Sequence, residues 1–195
     1  MGGFRLEAWQ MSKTEALPRV EVVPYDPRWP HAYAAECAEL ISIGGSAIVE
    51  LEHIGSTSVP GLAAKPIIDM MAAVTDLEIG HLLAARLEGR GYRLIETGMR
   101  NRLFLRRASA VDCNAFHLHI VEQSTWDERK ERLMRDYLLV HSDAVAAYAA
   151  IKMQLACDYA EDSLAYTKAK TAFIQELIDK ARAERGLSPI DVWND

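Results

Sequence analysis

Residues 66–74 read Pro-Ile-Ile-Asp-Met-Met-Ala-Ala-Val, an apolar run broken by a single charge, Asp69. A run this short and this apolar suits a central strand buried on both faces, and such a strand needs elements packed on either side of a sheet. The rest of the chain supplies them. Further strands are expected over 49–54, 92–96, 102–107 and 116–121, with a short β-rich run at 20–23 ahead of the proline-rich segment 24–30. Helices are expected over 31–43, where Tyr33, Cys37, Leu40 and Ile41 fall at helical spacing, and over 77–90, bracketed by Gly89 and Gly91. After Ser124 the texture becomes helical over 125–141, 144–160 and 164–184. Ser124 or Thr125 can cap the first of these, and Ser142 or Asp143 the second.

The expected fold class is therefore α/β, a mixed β-sheet with C-terminal helices packed on it. The expected boundaries are an extension over 1–19, a domain over 20–185 with a sheet part (20–124) and a helical part (125–185), and a tail over 186–195. Met11 is a candidate natural start, which would make residues 1–10 an addition. Composition fits this picture: of 195 residues 50% are hydrophobic and 26% charged, the balance of a folded chain rather than a disordered one. The net charge of −6 gives no general attraction for nucleic acid or for an anionic membrane. A local basic cluster can still hold a phosphate. Cys37, Cys113 and Cys157 are odd in number and far apart, so reduced thiols and a cytoplasmic setting are expected. No apolar run reaches the roughly 20 residues of a membrane span.

The chemistry centres on residues 52–69, Glu-His-Ile-Gly-Ser-Thr-Ser-Val-Pro-Gly-Leu-Ala-Ala-Lys-Pro-Ile-Ile-Asp. Gly55 lets the backbone turn and approach a ligand closely. The hydroxyls of Ser56, Thr57 and Ser58, with the exposed amides of a turn, can cradle an anion. Lys65 adds positive charge. Asp69 lies in the apolar strand, where a bare carboxylate is costly, so a metal ion, Lys65 or another cation is expected beside it. Read singly, the loop is a turn with capping hydroxyls and the Asp a strand-end residue. Together, with twelve residues between Ser56 and Asp69, they form a recurring arrangement.

That arrangement resembles the nucleotidyltransferase superfamily, in which a Gly-Ser loop precedes a metal-binding Asp. Residues 52–69 resemble the signature of the GrpB-like family within it. Matching pieces follow in order: residues 23–29 (VPYDPRW), Gly91-Tyr92, residues 117–121 (HLHIV), residues 135–138 (RDYL), Ala147-Tyr148, Lys152 with Leu155, and residues 166–170 (YTKAK). The resemblance spans about 20–181. It implies a nucleotidyltransferase-like fold, a bound nucleotide or other phosphorylated small molecule, a divalent metal ion (Mg, Mn or Zn), and nucleotidyl or phosphoryl transfer. Similar domains occur fused to dephospho-coenzyme A kinases, which suggests an accessory role. The chain departs from the superfamily at Met71: two carboxylates flanking one strand residue usually bind Mg²⁺ together, and here the second is a thioether, a poor ligand for a hard ion.

His117 and His119 alternate on one strand and share a face. If that strand lies beside Asp69, then Asp69, His117, His119 and, from the preceding strand, His53 form a candidate metal set. Alternatively one histidine, with His119 the candidate, acts with Asp69 as an acid or base, or the imidazoles only pack and hydrogen-bond. In the helical third, Arg135 and Lys152 match the family pattern and are expected at the phosphate. Lys168 and Lys170 either join them at the phosphate or form a solvated charged face, and Tyr137, Tyr148, Tyr159 and Tyr166 pack the helices, with one able to stack on a base. Two functions follow. One is an enzyme in which Gly55, Ser56, Thr57, Ser58, Lys65, Arg135 and Lys152 hold phosphate, and Asp69 and His119 act on it. The other is a noncatalytic accessory or binding module that keeps the pocket without the second carboxylate.

Overall fold

The computed structural model describes residues 19–99, 101–108 and 115–192. The extension before Arg19, the question of Met11, and Cys113 lie outside the described residues. Five strands form one sheet in the order β1-β2-β5-β4-β3: β1 (Glu50–Ile54), β2 (Ile67–Val74), β3 (Arg93–Leu94), β4 (Arg102–Ala108) and β5 (Ala115–Glu122). β2 and β5 run parallel and the other pairs antiparallel, so the sheet is mixed. The β-rich run at 20–23 does not become a strand. Val23 alone bridges Ala64, and Val20 bonds Ala160, because the prolines at 24 and 27 turn the chain away before a ladder can grow.

Six helices complete the described chain: α1 (Trp29–Gly44), α2 (Leu77–Glu88), α3 (Lys130–Val140), α4 (Ser142–Asp158), α5 (Ser163–Ala169) and α6 (Thr171–Glu184). Pro30 sits in the first turn of α1, where its missing N–H costs nothing. Asp76 caps α2 by accepting from the Ile79 N–H at 2.9 Å. α1 and α2 cover one sheet face, burying Trp29, Leu40, Leu83 and Leu87 against Ile68, Met70, Ala72, Leu105, Leu118 and Ile120. α2 comes close at Gly80, where a Cβ would lie 3.2 Å from Ile120. On the other face Met71, Ala73, Ile54 and Val121 meet Trp126, which stands on a 3-10 turn over Gln123–Glu128.

The helical third differs from the reading of three long helices. The helix expected over 125–141 starts only at Lys130, because Arg129 takes an extended backbone (φ −61°, ψ 120°). Its guanidinium is buried and donates to Thr125 Oγ1 and to the Asn101 carbonyl, both at 2.9 Å. Thr125 therefore serves Arg129 and not a helix N-terminus. Nor do the Ser142 or Asp143 side chains cap α4, which follows a bend at His141. The pattern over 164–184 divides at Lys170 into α5 and α6, and α5 is capped by Asp162, which accepts from Leu164 and Ala165. The helices seat on the sheet through the loop after β1: Val59 and Leu62 are buried among Leu138, Tyr148 and Leu177. Each such burial contributes on the order of 2 kcal/mol. Among the described residues no helix is long and apolar enough to cross a membrane.

Candidate functional site

The loop after β1 folds back over β2 at one point. Gly55 has φ +70°, and a Cβ there would lie 2.6 Å from Asp69 Oδ2. Only glycine offers both that backbone and that clearance. Residues Ser56–Ser58 then make a single 3-10 turn. The three hydroxyls have separate tasks. Ser58 Oγ donates to the Gly55 carbonyl at 2.6 Å and closes the turn. Thr57 is buried, donates to the Ile67 carbonyl at 2.9 Å and contacts His53 Nε2 at 3.0 Å. Ser56 is the one that faces the helices, where its Oγ accepts from Lys152 Nζ at 2.9 Å.

Lys152, on α4, is only 2% exposed, and its ammonium lies over the Tyr148 ring, 4.3 Å from the centroid. Two more lysines flank the Tyr166 ring of α5, Lys170 at 4.3 Å and Lys65 at 4.7 Å. Lys65 Nζ also lies 3.4 Å from Ser163 Oγ. Rings stabilise such cations, and no carboxylate pairs with any of the three among the described residues. Burial, reinforced by the neighbouring Lys170 charge, pushes Lys152 down to about 7. Burial and then Lys65 push Lys170 down to about 8, while Asp69 pulls the other way. Burial also lowers Lys65. The cluster is thus an under-neutralised pocket of positive charge at the loop.

Arg135 is not part of it. Its guanidinium bonds Glu52 at 2.6 Å, the His53 carbonyl at 2.9 Å and Asp136 at 2.7 Å. Arg132 adds two bonds to the same Glu52 carboxylate, at 3.0 and 2.9 Å, so Glu52 ties α3 to β1. Of the seven residues expected at a phosphate, the structure brings Ser56, Lys65 and Lys152 together, with Gly55 as the hinge of the loop. Thr57, Ser58 and Arg135 are engaged internally. Lys170, Tyr148 and Tyr166, which the sequence favours as solvated-face and packing residues, join the cluster, and Ser163 is the member that sequence reasoning missed.

The parallel register sets Asp69 beside His117 and Met71 beside His119. His117 Nδ1 lies 3.1 Å from Asp69 Oδ1. Burial opposes the Asp69 charge, but the bond from His117 and the nearby imidazoles hold its carboxyl below the usual range. His117 Nε2 is buried and has no hydrogen-bond partner. His119 packs at a tilt against Phe104 with centroids 4.8 Å apart, and its Nδ1 lies 3.5 Å from Arg102. Burial and the Arg102 charge push it down to about 4, so it is neutral at physiological pH. His53 pairs with Met70 in the β1–β2 ladder, which places it on the opposite sheet face, stacked on Tyr33 at 4.8 Å. There burial takes it down to about 4.

The residues expected to hold a metal are therefore not gathered around one point. Asp69 and His117 meet each other, His119 meets a guanidinium, and His53 faces away. Among the described residues no three of His, Cys, Asp and Glu stand as a metal-binding group. The position beside Asp69 on its own strand is Met71, fully buried against Trp126 and Val121. This donor set does not fit the pair of hard divalent ions that two-metal transfer requires.

Known proteins agree with this architecture. The UPF0157 protein YqkA of Bacillus subtilis is 30% identical over 165 residues, which is 84% of this chain and 48% of that protein, so the chain spans about half its length. The UPF0157 protein BH1888 of Halalkalibacterium halodurans is 34% identical over 84% of this chain and 83% of its own. The crystal structure of the conserved protein GrpB from Enterococcus faecalis superposes with a TM-score of 0.77 at 32% identity, covering 85% of this chain and 99% of that one. Terminal uridylyl transferase 4 from Trypanosoma brucei, solved with bound dUTP, shares the fold at a TM-score of 0.54 and 11% identity, over 88% of this chain and 60% of its own. Residues 19–180 match the family described as GrpB protein, and with its nucleotidyltransferase-like sheet the chain belongs to that family.

Proposed function

We propose that this protein binds a nucleotide or another phosphorylated small molecule between the Gly55–Ser58 turn and helices α4 and α5. The observation that carries the reading is Lys152: a buried ammonium, 2.9 Å from Ser56 Oγ, with no carboxylate paired to it among the described residues. An isolated buried charge is expensive, and such a charge is kept where an anion arrives from outside. Lys65 and Lys170 extend the positive region, and the Tyr148 and Tyr166 rings hold the ammoniums. The distant uridylyl transferase holds a nucleotide on the same fold, which supports a phosphate ligand without identifying one.

The test is a thermal-shift and calorimetric panel of nucleoside mono-, di- and triphosphates and pyrophosphate against the wild type and Lys152→Met. A ligand at a hundred times its Kd stabilises by about 2.7 kcal/mol, which a melting curve resolves. Stabilisation by one class of phosphate, lost in Lys152→Met, is the expected result. No stabilisation by any of them, or stabilisation that survives the substitution, sinks the reading.

The same pocket supports two outcomes for the bound molecule. Met71 favours binding without transfer, the accessory-module reading. The Asp69–His117 pair favours proton-assisted transfer, since an imidazole oriented by a carboxylate on Nδ1 and unpartnered at Nε2 is a general base in waiting. His117→Gln separates them. A variant that still binds but no longer releases phosphate or pyrophosphate from a bound nucleotide identifies transfer. No release by the wild type identifies the binding module.

A further inference from the structure

The electrostatics of the lysine cluster carry a consequence for how its ligand is neutralised. Three ammonium groups gather near the loop: Lys152 on Ser56, and Lys65 and Lys170 over the Tyr166 ring. The carboxylates leave a divalent cation a thin ligand set. Asp69 Oδ1 faces His117 at 3.1 Å, so Asp69 offers at most its Oδ2, beside Gly55. Glu52 is held by Arg132 and Arg135. A divalent ion entering with a phosphate would face the three ammoniums at close quarters in a poorly screened site and would repel them.

We propose that the pocket takes a di- or polyphosphate group as the free anion, with Lys65, Lys152 and Lys170 supplying the counter-charge that a divalent cation supplies elsewhere. The proposal rests on the phosphate-site reading above and deepens it by specifying the ionic form of the ligand. Ser56 and Ser163 are the hydroxyl partners closest to the ammoniums, Lys152 to Ser56 at 2.9 Å and Lys65 to Ser163 at 3.4 Å. A free diphosphate carries enough negative charge to offset three ammoniums, and its magnesium complex does not. The lowering of Lys152 and Lys170 is the cost of gathering and burying the ammoniums, which a bound anion offsets.

The experiment is calorimetric titration of the full chain with pyrophosphate, once in excess EDTA and once in millimolar Mg²⁺. Binding in EDTA is expected to be at least as tight as in Mg²⁺, because the magnesium complex presents less charge to the lysines. Lys170→Met and Lys65→Met are each expected to weaken binding in EDTA by about tenfold or more, the factor that 1.4 kcal/mol produces. Melting curves confirm that both variants fold, and Lys170→Arg, which keeps the charge, is expected to retain most of the affinity. Binding that appears only with Mg²⁺, or tightens with it, overturns this proposal while leaving the phosphate site standing. Absence of binding in both buffers overturns the phosphate site and this proposal together.

Discussion

A methyl group at position 55 has nowhere to go. The backbone there is left-handed, and the carboxylate of Asp69 fills the space a Cβ would need. Gly55→Ala must either move the loop off β2 or push Asp69 away from His117. The expected cost is about 1–3 kcal/mol in urea unfolding, together with loss of the phosphate-induced thermal shift. A variant as stable as the wild type would show that the loop has slack the packing does not suggest. Asp69→Asn is a milder probe of the same contact, since it keeps the shape and removes the charge that His117 Nδ1 faces. It is expected to lower the urea midpoint, and it leaves the lysine cluster with less opposing charge, so anion affinity should rise rather than fall.

At the scale of elements, α4 carries a charge that the empty protein would be more stable without. Lys152 sits at about 7 when folded and at its ordinary 10.5 when unfolded. Between those values the unfolded chain binds more protons, so stability rises with pH from about 7 toward 10. Lys170, at about 8, adds to the upper part of that window. Anion binding runs the other way, because only the protonated amines attract the ligand. Two measurements follow. The melting temperature of the ligand-free protein should increase from pH 7 to 9, and this slope should flatten in Lys152→Met, which should also melt higher at pH 7. The affinity for sulfate, whose charge is constant over this range, should fall over the same interval. A sulfate affinity independent of pH would mean that neither lysine titrates where its burial places it.

The elements that the sequence made legible are those whose pattern depends on their own residues. β1, β2, β4 and β5 follow from short apolar runs, and α1 and α2 from helical spacing, α2 closed by glycines. The breaks in the helical third depend on distant partners. Arg129 interrupts its helix because its guanidinium reaches the Asn101 carbonyl, a residue 28 positions away. Site residues divide in the same way. Ser56, Lys65 and Lys152 were legible from the motif. Thr57 and Arg135 looked like ligands, but a residue type does not reveal whether its hydrogen bonds are already spent, and theirs go to Ile67, Glu52 and Asp136. His53 misled because the strand before Gly55 alternates faces, and the register that assigns it to the α1 side is a tertiary fact.

For the whole molecule, the join between sheet and helices depends on Glu52. One carboxylate takes three bonds from two arginines of α3, at 2.6 to 3.0 Å, and both guanidiniums are mostly covered. Glu52→Gln should cost about 1–3 kcal/mol, less than a fully buried network because the site is partly open to water. Hydrogen exchange should show the loss concentrated in α3 and α4, with β2 and β5 unchanged. Uniform loss across the molecule would mean that sheet and helices unfold only together.

The strand order has a consequence for a chain made from its N-terminus. β5 is the last strand to be synthesised, yet it lies in the middle of the sheet, between β2 and β4. Until residue 122 has left the ribosome, β2 and β4 each present an open edge with no neighbour to close it, and such edges invite pairing with other chains. Ser56 waits 96 residues in all for Lys152, whose helix follows β5 in the chain. A nascent chain halted before β5 should be captured by chaperones, and one halted just after it should not.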